Sequence, residues 1–295
     1  MATQQLHLDH DLNVDYNWVY DNLVCDYDPA NKVMQFNMNT RPRPNFTPAL
    51  MRDIRSFQES VVQVCEQHRE QGEASPFKFL VLGSAIPGVY SLGGDLGFFL
   101  DCIRGNKRQV LENYASLCID VLYDNYVNLG QDLRTVALIE GDALGAAFEA
   151  ALSCDVIIAE KGAKIGFPEV VFNMFPGMGA YSFLSRRIAP ALVERMINTG
   201  RMYTSDELYE MGVIDILTEP GEAKVALRQF VRKHDRSAMT RNAVLAMREE
   251  VFPLTRDELD RIVGLWVDSA MALPQRDQRM MERLVKAQSR KMDAA

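Results

Sequence analysis

Histidine is scarce, with four in 295 residues. His7, His10, His68 and His234 all sit among polar or charged neighbours, and none lies in the apolar, glycine-rich stretches where a general base is needed. A Ser-His-Asp site is therefore not expected, and "GVYSLGG" around Ser91 fails the GxSxG spacing by one residue. Long apolar runs are also missing, so no membrane insertion is expected, and Met1–Asp15 is polar and acidic, unlike a signal peptide. The five cysteines (Cys25, Cys65, Cys102, Cys118, Cys154) are scattered with no CxxC pair. They read as buried thiols in a reducing compartment, which makes a cytoplasmic location the expectation. Basic charge is in deficit: 32 Lys and Arg against 40 Asp and Glu leave a net charge of −8, which argues against nucleic acid as a partner. There is no HExxH or His/Cys cluster, and "GMGAYS" is no dinucleotide fingerprint, so neither a metal nor a cofactor is expected.

What is present is ordinary globular composition, 47% hydrophobic and 24% charged, with enough length for a large core. "LVCDYDPANKVMQFNMN" predicts two strands around a turn at Asp28–Lys32. Thr47 reads as a helix N-cap with Pro48 at the first helical position, opening a helix to about Gln71. "FKFLVLGS" and "RTVALIEG" are short continuous apolar runs, as buried strands require. The Gly-rich "PGVYSLGGDLGFF" reads as a loop before helical patterns from about Leu96 to Leu129. Gly141 reads as the break after a strand, with "ALGAAFEAAL" opening a helix. "DVIIAEKGAKIGF" predicts two strands around Lys161–Gly162, and a helical stretch interrupted near Pro190 follows. Beyond "GVIDILTEPGEA" the pattern is nearly all helical. Strands alternating with helices, then a helical tail, predict an α/β core over residues 1–220 and a helical region over 221–295.

Two carboxylates stand alone in the most apolar segments: Glu149 in "ALGAAFEAALSCD" and Glu169 in "IGFPEVVFNMFPGMGA". The helical neighbours of Glu149 (Gly145, Ala146, Leu152, Ser153) are small or apolar, so its carboxylate is buried or lines a cavity. Burying a charge without a partner is costly or shifts its pKa. One reading is a structural glutamate paired with an arginine or a backbone amide. Glu169 follows Pro168, which restricts its backbone, and it could simply cap the next turn. Together, two such carboxylates can divide acid and base work.

With "YSLGGDL" and "IEGDALGAAFEAALSCDVIIAEKGAKIGFPEVVFNMFPGMGAYSFL", the chain resembles the crotonase (enoyl-CoA hydratase/isomerase) superfamily over roughly Leu23–Leu217. The resemblance implies a spiral of ββα turns with a C-terminal helical extension that supports a trimer or hexamer and covers the site. It implies an acyl thioester substrate, catalysis by Glu149 and Glu169, and an oxyanion hole of backbone N–H groups from Ala146 and from Ser91 or Leu92. Alanine at 146 can donate as glycine does, because the donor is the main chain. Gly93, Gly145, Phe172, Met174, Phe175 and Gly177 are the expected pocket residues.

"GGDLGFFLDCIR", "YASLCIDVLYDNY" and "MERLVKAQSRK" extend the similarity to the diffusible signal factor synthases over nearly the whole chain. That implies dehydration of a 3-hydroxyacyl chain on acyl carrier protein and release of a cis-2-unsaturated acid. An acidic carrier would need a local basic patch on this acidic chain. Arg104, Lys107 and Arg108 after the "GGD" loop are the favoured segment, with Arg283, Lys286 and Arg290 the other. An ordinary enoyl-CoA hydratase or isomerase and a catalytically silent binding protein of the same fold are the alternatives.

Overall fold

The computed structural model describes residues 16, 18–234 and 238–293. The polar Met1–Asp15 stretch, His7 and His10 lie outside the described residues. An antiparallel pair comes first, β1 (Leu23–Asp28) and β2 (Val33–Met38), around the expected turn. The Asp28 carboxylate makes that turn by accepting the N–H groups of Ala30 and Asn31. Helix α1 (Pro48–Glu70) starts as the sequence predicts, with Pro48 in its first turn and Thr47 Oγ1 accepting from the Leu50 N–H at 3.1 Å.

A unit then repeats. β3 (Phe79–Ser84) is followed by β4 (Gly88–Ser91), α2 (Leu96–Arg104) and α3 (Arg108–Tyr126). β5 (Arg134–Ile139) is followed by β6 (Gly141–Leu144) and α4 (Ala146–Leu152). β7 (Val156–Glu160) is followed by β8 (Lys164–Gly166) and a 3-10 turn at Pro168–Phe172. The helices α5 (Ala180–Leu184) and α6 (Pro190–Thr199), strand β9 (Met202–Thr204), helix α7 (Ser205–Glu210) and strand β10 (Ile216–Thr218) come next. The first strand of each unit joins a six-stranded sheet of order β1-β2-β3-β5-β7-β10, and the second joins a four-stranded sheet of order β4-β6-β8-β9. Within both sheets the repeating units pair in parallel. The α/β spiral expected from the sequence is the observed fold.

Two strands contradict the sequence reading. The segment taken as a loop before Leu96 contains β4, and Gly141 begins β6. A Cβ on Gly141 would collide with the Gly88 carbonyl, so glycine is needed where the two backbones meet at the corner of the spiral. A glycine that permits close backbone approach looks the same in sequence as one that ends a strand.

β3, β5 and β7 are covered on both faces, which is why they read as continuous apolar runs. One face meets α8 (Ala223–His234) through Phe79, Val136, Ile158, Leu227 and Val231. The other faces the main core with α1, α3 and α4. After α8 come α9 (Ala238–Val251), α10 (Arg256–Met271) and α11 (Gln275–Asp293). α10 packs on α3, and α11 lies against α2 and the 3-10 turn. Among the described residues no helix is long and apolar enough to cross a membrane.

Candidate active site

Helix α4 begins at Ala146, three residues later than "ALGAAFEAAL" suggests. The reason is Gly145, whose φ of 55° and ψ of −121° only glycine adopts without strain. β6 therefore turns abruptly into α4, and Glu149 falls in the first helical turn rather than deep within the helix. Its side chain is buried, and Oε1 accepts the Met178 N–H at 2.8 Å and the Ala180 N–H at 3.0 Å. Burial pushes its pKa up to about 7, while the two N–H donors pull in the opposite direction. A backbone amide partner was one sequence expectation for Glu149, but the sequence did not single out these two donors. Gly179, at φ 115°, sets the turn that leads into Ala180 at the start of α5, and "GMG" was its only trace in the sequence.

Glu169 arrives from the next unit. Pro168 opens the 3-10 turn and places Glu169 over Gly145, where any Cβ would strike its Oε1. The stem is partly exposed, but Oε2 is sealed from solvent with no hydrogen-bond partner. Desolvation, then the nearby Glu149 charge, pushes this carboxyl up to about 8. The Glu149 charge adds to the Glu169 shift, so the two carboxyls interact as they titrate.

The expected amide donors also converge. Ala146 is the first residue of α4, so its N–H has no partner within the helix, and the residue is partly exposed. Gly93 packs on the Leu144 carbonyl, and a Cβ there would come within 3.5 Å of the Ala146 nitrogen. The loop after β4 thus abuts the start of α4. Of the two options for the first donor, the Leu92 N–H is already given to the Pro44 carbonyl at 2.8 Å. Ser91 is the remaining candidate. Its hydroxyl donates to Pro44 and accepts from the Gly93 N–H, which holds the loop.

None of the expected pocket residues lines the cavity beside the site. Gly145 supports Glu169, and Gly177 lies under Trp266 of α10, whose side chain a Cβ would strike. Phe172 and Met174 are core residues, and Phe175 is half-buried against the core. The cavity that adjoins the site is narrow and apolar. Ala146, Ala150 and Met178 border it on the site side, and Met51, Tyr90 and Tyr114 are among its other walls. Its lining comes from segments more than a hundred residues apart, which no local pattern reveals.

The expected basic docking segment is not a free patch. Arg104 pairs with Glu282 of α11 at 3.0 Å, and Arg108 bridges Glu112 and Asp268 of α10. Lys107 is exposed. Two of these cations, at the end of α2 and the start of α3, thus form exposed ion pairs with the C-terminal helices. α11 reaches the site as well: Gln288 donates to the Leu92 carbonyl, and Asp277 accepts from Asn173 just past the Glu169 turn. Among the histidines, His68 is bound through Nδ1 to the Val64 carbonyl, on α1.

The enoyl-CoA hydratase/isomerase family model matches residues 33–255, most of the chain, with Glu149, Glu169 and Ala146 inside the match and α10 and α11 beyond it. The chain belongs to that family. A short-chain-enoyl-CoA hydratase from Clostridium acetobutylicum is 27% identical over 173 residues, covering 59% of each protein. Enoyl-CoA hydratase domain-containing protein 2 from Mus musculus is 25% identical over 265 residues, 84% of this chain and 76% of that one. The chain spans about half the length of several curated relatives that it matches. Among solved structures, human mitochondrial delta3-delta2-enoyl-CoA isomerase superposes with a TM-score of 0.72 at 17% identity, over 92% of this chain and 99% of that one. At that identity the likeness is one of fold.

Proposed function

We propose that the chain eliminates and adds water across the C2–C3 bond of an acyl thioester. The observation that carries this reading is the pair of raised, buried carboxyls, Glu149 and Glu169, set beside the unpaired Ala146 N–H at a helix start. Loss of the C2 proton places negative charge on the thioester oxygen. The Ala146 N–H, together with that of Ser91, would stabilise that charge, aided by the positive end of α4. The ionised member of the pair takes the C2 proton. The protonated member gives its proton to the departing C3 hydroxyl, and water leaves; hydration runs in reverse. Two buried carboxyls kept near neutral pKa values are hard to account for in a silent scaffold.

A second reading keeps the same site but changes carrier and outcome: dehydration of a 3-hydroxyacyl chain on acyl carrier protein, then hydrolysis to a cis-2-unsaturated signal acid. The motifs shared with diffusible signal factor synthases, running to the C-terminal helices, favour it. Both readings are tested with 3-hydroxyacyl groups presented on CoA and on carrier protein, following the enoyl thioester by absorbance and free acid by mass spectrometry. Enoyl thioester should form and should vanish in Glu149→Gln and Glu169→Gln, with cooperative melting retained. A variant that turns over at the wild-type rate removes that residue from the reaction. Free cis-2-enoic acid from the carrier-bound substrate alone decides for the second reading.

A further inference from the structure

We propose that the Tyr90 hydroxyl is a specificity determinant of this site, selecting acyl chains that carry a neutral oxygen partway along their length. The inference rests on the acyl-thioester reading above. Tyr90 is 1% exposed, and its hydroxyl has no hydrogen-bond partner. It borders the apolar cavity beside the site. A buried hydroxyl is nearly always paired, and phenylalanine would fill the same space without that cost. The other polar side chains of the wall are committed. Tyr114 donates to the Phe46 carbonyl, and Asn125 accepts from Gln58 and donates to Ser153.

The backbone also singles out this residue. β4 pairs Val89 with Asp142 and Ser91 with Ala143, so Tyr90 is the extra residue at a shift in register. Such bulges re-aim a side chain, and they recur beside active sites. Tyr90 shares the cavity wall with Ala150, one turn of α4 beyond Ala146, so the hydroxyl meets the chain past the thioester carbonyl and not at it. The ligand atom there is a keto or ether oxygen. A carboxylate is excluded, because the surrounding wall is apolar and the Glu149–Glu169 pair is close by.

The test compares Tyr90→Phe with the wild type on two 3-hydroxyacyl thioesters of equal length, one plain and one with a mid-chain keto group whose position is scanned beyond C3. The wild type should favour the keto chain in kcat/KM by about tenfold, and Tyr90→Phe should bring the ratio to about one or below. Calorimetric binding of the matching unreactive thioethers should show the same change in ratio. Tyr90→Phe should melt no lower than the wild type, because it loses no protein contact. An unchanged ratio overturns the proposal, and so does a lower melting temperature with equal losses on both chains. If neither thioester turns over but the thioether preference holds and is lost in Tyr90→Phe, the catalytic reading fails while the Tyr90 assignment stands.

Discussion

Replacing Glu169 by glutamine should stabilise the folded chain, and by more as the pH rises. In the folded state its carboxyl is raised from 4.5 to about 8, by burial first and then by the Glu149 charge. Unfolded, it returns to near 4.5. Between those values the folded chain holds a proton that the unfolded chain has released, so wild-type stability falls as pH rises across this window. The span corresponds to at most about 5 kcal/mol. Water reaching the partly exposed stem reduces this to about 2 kcal/mol. Glutamine is nearly isosteric and stays neutral, so the variant lacks this decline. Urea unfolding from pH 5 to pH 9 reads the difference. The two proteins should agree within about 0.5 kcal/mol near pH 5, and the variant should lead by about 2 kcal/mol near pH 9. Parallel stability curves would refute the argument that burial, and not a hidden cationic partner, governs this carboxyl.

Gly145→Ala should lose both turnover and about 2 kcal/mol or more of stability, since the methyl strikes the Glu169 carboxylate at a left-handed position; an active variant with unchanged melting would contradict the geometry. Reversing Arg104, Lys107 and Arg108 to glutamate should reduce turnover on CoA and carrier-protein thioesters alike, because the new carboxylates would face Glu282 of α11 and Asp268 of α10. A rise in KM confined to the carrier substrate, larger at low salt, would instead restore the docking role. α9 exposes Met239, Val244, Met247 and Val251, an apolar set that a second copy could cover. A trimer or hexamer is expected by light scattering at micromolar concentration, and a monomer would refute it.

Much of the spiral was legible in the sequence because its signals are local. Thr47–Pro48, the Asp28 turn and the apolar runs of β3, β5 and β7 each work through near neighbours or through burial on both faces. Of the short second strands, β8 was legible after the Lys161–Gly162 turn, but β4 and β6 were not, because Gly88 and Gly141 matter only when the two backbones meet. Glu149 and Glu169 stood out as lone carboxylates among apolar residues, and burial is what makes such a carboxylate chemically useful. Their partners did not stand out. The Met178 and Ala180 N–H groups are main-chain atoms that any residue carries, and only the turn at Gly179 turns them toward Glu149. The charges of Arg104 and Arg108 were visible as a cluster, but a sequence shows charge without showing what lies opposite. α10 and α11 fold back from more than a hundred residues away and supply the acids that neutralise them. The cavity beside Glu149 belongs wholly to the tertiary structure, since empty space is set by how distant side chains fail to meet.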